Sequence, residues 1–505
     1  SAQSGNTGGL TWADVTIPPS GNTVDLVADG AIAAGKPTII KSNGKAEQVK
    51  TVASRGTPTA MSGTHVIGGS ATNWGVVRAD PATGHGVLIY LDADSGDYVR
   101  AQGFRTNAST GALTLSGSAL NLQNDGTGGS ANSLTHLTGN KFLAVYRRGS
   151  NSDLAYKVIT YNSSHGTVTA GSQTTASQNG MLYTQQQICA VSGSKAVIVY
   201  RDQGDSNKGK ACVLSISGTS VSVGSPVTFW TSATNFHSVC YDSNADRIVV
   251  QWNAGSSNIA IVGTVSGTSI TFGSAITVGT ASAHTSMCFE STNNKIILAW
   301  NEGSTAMKLR VATVATSGNS LTFDATAENW YNANAGKIEL AFVPSVGSIC
   351  IIFSQSGNSN RLVMFTGYLN TSTGKAQYEF QIVIQSSVNG YAALTQTTSG
   401  YVVAGSQQST GNYNTRIRSL KAFVDATNFT SSQRNFLGFA EDAISDGATG
   451  TIKLDGNVVG NQSGLTAGTL YKVDNDGTLT GSWGSNEVGL LAVAADKGVV
   501  MRSLA

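Results

Sequence analysis

Arg247-Ile248-Val249-Val250-Gln251-Trp252 is a short apolar run closed by an aromatic residue, and its surroundings decide the fold. A polar loop, Asn253–Asn258, follows it, then the strand-like Ile259–Val265, the turn Ser266-Gly267-Thr268 and a further strand over Ile270–Ile276. Ser238–Tyr241 stands before it with the same character. Strand-forming residues bounded by Gly, Ser and Asn clusters predict four antiparallel strands joined as a meander. The run 247–252 is apolar on both faces rather than alternating, so its strand must be covered on both sides.

The same pattern recurs. Gly86–Tyr90, Phe142–Tyr146, Ala196–Tyr200, Ile248–Trp252, Ile296–Trp300 and Ile349–Phe353 all end in an aromatic ring, at intervals of 56, 54, 52, 48 and 53 residues. A weaker seventh run, Tyr401–Ala404, ends 51 residues after Phe353. A period near fifty marks stacked units that cannot bury their apolar faces alone. Seven four-stranded units, each shielded by two neighbours, predict a seven-bladed β-propeller. No stretch carries helical periodicity with caps. Cys189, Cys240 and Cys288 precede the aromatic of their units by 11, 12 and 12 residues. That repeated placement predicts packing on a crowded inner strand, and Tyr146, Tyr200, Trp252 and Trp300 are expected in the core.

The ring is expected over residues 46–432. Its seventh unit ends at Arg416–Phe423 without a clear fourth strand, which would leave an unpaired edge. Ala46–Val52 is expected to supply that strand and close the ring. Residues 1–45 and 433–505 lie outside and are expected to form a small β-rich domain together, as a cap or stalk. Ala34–Gly44 aligns without gaps with Ala467–Gly477. Asn43-Gly44 and Asp476-Gly477 are hairpin signals, so the match predicts a similar β-hairpin in both segments. The expected fold class is all-β.

Composition excludes several classes. Charged residues make up 12% of the 505, about half the usual share. A 40% hydrophobic content with net charge +2 is incompatible with bulk disorder and with a strongly basic nucleic-acid binder. No window is apolar enough for a membrane-spanning helix. Ser1–Gly5 lacks the basic and apolar regions of an intact secretory signal, and its small first residue fits a removed Met or a signal already cleaved. Five cysteines, with no C-x-x-C pair, make neither a disulfide framework nor a zinc site.

A search for chemistry finds no G-x-S-x-G elbow and no H-E-x-x-H. Gly30…Gly35-Lys36 and Gly204…Gly209-Lys210 approach a phosphate loop, but Pro37 and Ala211 stand where Mg²⁺ needs a hydroxyl. Both are expected to be polar turns. No Asp-box of the sialidase kind appears, so an enzyme and a cofactor are not expected. Asp92-Ala-Asp94-Ser-Gly96-Asp97 resembles a calcium loop, yet Asp97 and Gly103 occupy the positions that need Gly and Glu. It is expected to be a polar hairpin loop and is only a weak metal candidate. The connections after the second strands carry Arg201, Asp202, Asn253 and Glu302, and those leading into the first strands carry Trp230, His237, Trp330 and Tyr331. In a four-stranded meander both sets share one rim. Rings beside short polar groups suit sugars, whose C–H faces stack while their hydroxyls take hydrogen bonds. The bland alternative is that the indoles fill gaps between blades and His237 is a hydrogen-bonded structural residue.

Phe436–Ile452 and Gly464–Thr480 resemble C-terminal modules of tailed-bacteriophage structural proteins, in particular tail-fibre-like proteins of marine phages. Val27–Lys36 is similar to the start of such modules. The resemblance covers the end segments and not the ring. It implies a virion component at the particle surface with a non-catalytic receptor-binding or decoration role. Implied partners are other virion proteins through the terminal domain and a host surface glycan or receptor, with a homo-oligomer in the particle, no nucleic acid and no membrane insertion. The alternatives are a secreted bacterial propeller lectin and, less favoured, a polysaccharide-degrading or sialidase-like hydrolase.

Overall fold

The structure, a computed structural model, describes residues 23–502 apart from 42, 62, 68–72, 93–97, 124–129, 149–152, 165, 177–185, 281–282, 304, 334, 356–359, 409–413, 428–435, 475 and 482–487. It divides into two compact units, residues 55–424 and residues 1–54 with 425–505.

Residues 55–424 form seven antiparallel sheets. The innermost strands are Asn73–Ala79, Ser130–Thr138, Gln186–Ser192, Asn235–Asp242, Thr285–Glu290, Ala335–Val343 and Val388–Gln396. Each lies beside the next, and the last lies beside the first, so the circuit closes. This is a seven-bladed β-propeller, and the blades are numbered here 1 to 7 in that order.

In blade 4, Asn235–Asp242 is followed outward by Arg247–Ala254 and Ser257–Ser266, as the sequence predicts. The outer strand differs from expectation, being broken into Ser269–Phe272 and Ile276–Thr280. The break sits at Gly273, whose N–H donates to Val262 O at 2.9 Å. A Cβ there would fall 2.0 Å from the Asn319 carbonyl oxygen, in the turn of the next blade. Gly224 and Gly171 repeat the arrangement against the carbonyl oxygens of Thr268 and Thr219, at 2.7 and 2.4 Å. The pairs Gly171-Ser172, Gly224-Ser225 and Gly273-Ser274 are thus a second signature of the repeat. In blade 5 the same position holds Asp324, and there the approaching residue is a glycine, Gly374.

The doubly apolar second strands are explained by cores shared between blades. Val197, Val199 and Phe229 of blade 3 pack with Ile248, Val250 and Trp252 of blade 4. The recurring aromatic is a wedge under the outer strand of the preceding blade. Trp252 lies 5.3 Å from Trp230, and Phe353 lies 5.2 Å from Tyr331. Trp300 fills the place where a Cβ on Gly279 would sit, 2.6 Å away. Tyr146, Tyr200, Trp252 and Trp300 are all buried, as expected. Complete burial of such a ring contributes roughly 2–3 kcal/mol.

Hydroxyls tie the innermost strands together. Ser133 Oγ accepts from Ile188 N, Ser286 Oγ from Leu340 N and Thr395 Oγ1 from Ala79 N, at 3.1, 3.0 and 3.2 Å. Each bond satisfies a buried backbone donor of the adjoining blade, where an orphan donor would be costly. All five cysteines are buried and free. Burial raises the Cys189 thiol to about 12, which makes it a packing residue rather than a nucleophile.

Closure follows the expected principle with a different strand. Blade 7 takes Val388–Gln396, Tyr401–Gln408 and Thr415–Lys421 from the C-terminal side of the ring. Its fourth strand comes from the N-terminal side as Thr59–Ala60 and His65–Ile67. Ala46–Gln48 instead pairs with Pro37–Ile40, and Thr51–Ser54 pairs with Val424–Thr427. The expectation fails because Ala46 and Val49 are core residues of the smaller unit, 0% and 1% exposed. The true closing strand is split into two short pieces, Thr59–Ala60, which is exposed, and His65–Ile67, of which Ile67 enters the core. The division between units therefore falls at 54/55 and 424/425, not at 45/46 and 432/433.

The smaller unit is a duplication. One sheet runs Thr23–Val27, Thr449–Lys453, Phe436–Ala440, Pro37–Ile40, Ala46–Gln48. The other runs Val458–Val459, Lys497–Arg502, Val488–Ala494, Leu470–Val473, Leu479–Thr480. Numbered along the chain, both have the strand order 1-5-4-2-3. The aligned segments match bond for bond. Gly44 N donates to Lys41 O and Gly477 N to Asp474 O, both at 2.9 Å, with φ of 79° and 85° at the two glycines. Lys36 N donates to Ala33 O, and Thr469 N to Thr466 O. Between the third and fourth strands the second copy has residues 481–487, where the first has 49–435. The ring is an insertion into that connection.

Candidate functional site

The four polar rim residues sit at the ends of second strands in blades 3, 4 and 5, and each serves its own surroundings. Arg201 donates to Asn207 Oδ1 at 2.8 Å and to Asn235 Oδ1 at 2.5 Å. Asp202 accepts from Gly204 N at 2.9 Å and pairs with Lys210 at 2.7 Å. Asn253 accepts from Gly255 N at 2.9 Å, and Glu302 pairs with Lys308. The Arg201–Asn235 bond places the end of a second strand beside the start of the next blade's first strand, so the shared rim is real. These contacts tie each of the four to its own hairpin or to the next blade's first strand.

The remaining expected residues divide between core and surface. Trp230 is half-buried against Trp252. Tyr331 is half-buried against Phe353 and Phe365. His237 is buried, with Nε2 2.9 Å from Thr234 Oγ1, and lines a small cavity formed by the innermost strands. Asp92 is buried and pairs with Arg100 at 3.0 Å. Asp94 and Asp97 lie outside the described residues. Among the described residues, no group of three or more His, Cys, Asp or Glu is placed to hold a metal ion.

Trp330 leads to the larger opening. Its indole N–H donates to Ala376 O at 2.9 Å and its ring is 5% exposed, so most of it packs between blades 5 and 6. The remainder faces a groove of about 440 Å³ with Glu328, Asn329, Tyr368, Gln377, Tyr378 and Glu379. This groove runs on the flank of the ring, between the outermost strands Glu328–Tyr331 and Lys375–Gln385. Tyr378 presents its ring at 43% exposure and meets Trp330 edge-on at 6.1 Å. The Tyr368 hydroxyl donates to Gln377 Oε1 at 2.7 Å. The Arg55 guanidinium lies 4.2 Å over the Tyr368 ring and is held by Glu379 at 2.9 Å. Glu328 is held by Lys375 at 2.5 Å. The groove thus offers an open aromatic face, with carboxylates and an amide fixed around it. Sequence reasoning missed Tyr368 and Tyr378 because they stand on the third and fourth strands, away from the loops. The alternation Lys375-Ala-Gln-Tyr378-Glu-Phe380 groups Tyr378 with Ala376 and Phe380 on the apolar face, so linear spacing gave no signal for its exposure; in the structure the register shifts opposite Thr366 and Gly367, beside it.

No protein-family model matches the chain, and no curated protein matches it. Solved structures similar to it include proteins described as propellers, a lectin and putative 6-phosphogluconolactonases. The Cps50 (Swd1) β-propeller domain of Myceliophteria thermophila is 10% identical, with 70% of this chain and 98% of that one covered, at a TM-score of 0.43. The Dos1 propeller is 10% identical over 73% and 95%, at 0.42. A lectin of Aleuria aurantia in complex with Fucalpha1-6GlcNAc is 11% identical over 63% and 96%, at 0.38.

Proposed function

We propose that the chain is a non-catalytic surface protein of a tailed-bacteriophage particle, with a tail-fibre, receptor-binding or decoration role, whose propeller meets a host-surface glycan. The observation that supports the recognition half is the flank groove, where the exposed Tyr378 ring stands among Glu328, Asn329, Gln377 and Glu379. An apolar face with a few fixed polar groups is what a sugar ring requires. The four carboxylate oxygens accept from hydroxyls, and their pairing with Lys375 and Arg55 holds them in position without a ligand. The virion half is supported by the resemblance of the end segments to phage modules, here a duplicated pair. The terminal unit is the part that would join other virion proteins.

The test is binding of the full chain to an array of bacterial surface polysaccharides. Retention on at least one neutral glycan, lost at Tyr378→Ala and kept at the remote Val458→Ala, is expected. No binding to any glycan, or binding unchanged at Tyr378→Ala, would overturn the recognition reading. An antibody to the chain that finds nothing in purified phage particles carrying its gene would overturn the virion reading.

A further inference from the structure

The two sheets of the smaller unit can be compared residue by residue, because each carries a row of directly opposed residues at the same place. In the first sheet the row is Thr23, Lys453, Phe439 and Pro37. In the second it is Val458, Val499, Leu491 and Leu470. Pro37 and Leu470 stand at matched positions of the gapless alignment, so the rows correspond strand by strand. Directly opposed residues project from one face of a sheet. Each row therefore marks the same face of its sheet.

The two faces are treated differently. In the first sheet, Phe439 is 0% exposed, and Ile39, two residues from Pro37 on the same side, is 3% exposed. They pack with Val459, Val473, Val488, Leu490 and Val500 of the second sheet. Those residues lie on the side away from the second row: Leu490 pairs with Val500, each one residue from Leu491 and Val499. The first sheet's row face is thus covered by the opposite face of the second sheet, front to back. The turns agree. A Cβ on Gly35 would meet the Asn461 carbonyl oxygen at 2.7 Å, whereas the matched Gly468 has nothing within 4 Å. Among the described residues, the second row stays open: Val458 is 51% exposed, and Val499, Leu491 and Leu470 are half-buried. It is the more apolar of the two rows, although it is the one at the surface. The wet face of an antiparallel sheet is ordinarily polar, and an exposed apolar patch marks an interaction site. Lys472, paired with Asp474 at 3.3 Å, stands where the first sheet has Ile39 and gives the patch a polar edge.

The molecule itself shows what this face binds: in the first sheet it meets another copy of the same module. A front-to-back continuation would need the back of a first sheet from another chain, and that back is closed. Ile32 and Ile444 bond to each other through their backbones at 2.9 and 2.8 Å and pack with Leu437, Ile452 and Leu454. A Cβ on Gly450 would sit 2.4 Å from Ile444 Cδ1. The matching surface left for the second row is the second row of another chain. We propose that the chain forms a two-fold dimer through this face, with Val458, Leu470, Leu491 and Val499 set against the same residues of a second copy. Such a contact is isologous and closes at two copies. It does not depend on the reading given to the flank groove.

The test is sedimentation equilibrium of the full chain, with and without residues 1–22. A mass of twice 51.9 kDa is expected, falling toward the single chain on dilution. Val458→Lys puts a charge on an exposed residue that has room for it, and should weaken the dimer at least about tenfold. Val66→Lys, similarly exposed on the ring at 48%, should leave the dimer unchanged. Both variants should melt with the parent by circular dichroism, so a loss of association is not a loss of fold. A single-chain mass at every concentration, or a dimer indifferent to Val458→Lys, would overturn the proposal. So would a chain that associates only after residues 1–22 are removed, which would make that segment the occupant of the face, or an assembly larger than two.

Discussion

The rings of Phe236 and His284 meet at 5.0 Å across the boundary between two blades, and both residues hold a left-handed backbone, at φ of 48° and 64°. The contact ties a strained turn in one blade to the same turn in the next. It also half-buries an imidazole whose charging the fold resists. Burial, assisted by the Lys337 charge, lowers His284 from 6.5 to about 4.

This yields a pH dependence of known sign. The folded value lies below the unfolded one, so the unfolded chain takes up the proton first. The stability contribution is complete above pH 6.5 and is lost as pH falls from 6.5 to about 4. Its full size is on the order of 3 kcal/mol. Urea unfolding followed by tryptophan fluorescence should show this slope, and His284→Asn should flatten it. Asparagine is the suitable replacement because it tolerates positive φ better than most residues.

Gly273 and Gly267 should respond differently to alanine. A Cβ on Gly273 meets the Asn319 carbonyl oxygen of blade 5 at 2.0 Å. Gly273→Ala must therefore push two blades apart, at a cost of roughly 2–4 kcal/mol. Gly267, with φ of 60° and nothing within 4 Å, has only its backbone conformation to lose. Gly267→Ala should cost about 1 kcal/mol. Equal shifts in urea midpoint would contradict the docking role given to the Gly-Ser pairs.

The inserted ring predicts two independent folding units. A fragment of residues 55–424 should fold cooperatively by circular dichroism and calorimetry. A fragment of residues 68–424 lacks Thr59–Ala60 and His65–Ile67, and so leaves the third strand of blade 7 unpaired. It should melt lower or aggregate through that edge. In the complementary experiment, the chain with residues 49–435 replaced by the sequence of 481–487 should fold as a small β protein. Failure of that protein to fold would contradict the equivalence of the two modules.

The sequence carries the ring in its middle strands. Runs such as Ile248–Trp252 must be covered on both faces, and only stacked blades at this period cover them. Closure was legible in principle, because a seventh unit without a fourth strand needs one from elsewhere. Its location was not legible. Thr59–Ala60 and His65–Ile67 are two short pieces broken by Pro58 and Gly63, whereas Ala46–Val52 is one uninterrupted stretch, used in the structure by the smaller unit. The gapless match of Ala34–Gly44 with Ala467–Gly477 was visible, but the duplication it belongs to was hidden by the ring between two strands of the first copy. For the site, rim geometry was legible and the partners of each residue were not. Arg201, Asp202, Asn253 and Glu302 find partners within their own hairpins or at the next strand. Tyr378 becomes prominent only when blades 5 and 6 are set side by side, which no linear spacing reveals.

The central claim is that the flank between blades 5 and 6 receives a sugar ring. A crystal of the full chain soaked with the strongest glycan from the array tests it directly. The account predicts a sugar ring stacked on Tyr378, with hydroxyls within hydrogen-bond reach of Glu328 or Glu379. A sugar bound instead among the rim hairpins of Arg201, Asn253 and Glu302, with the flank groove empty, would contradict it.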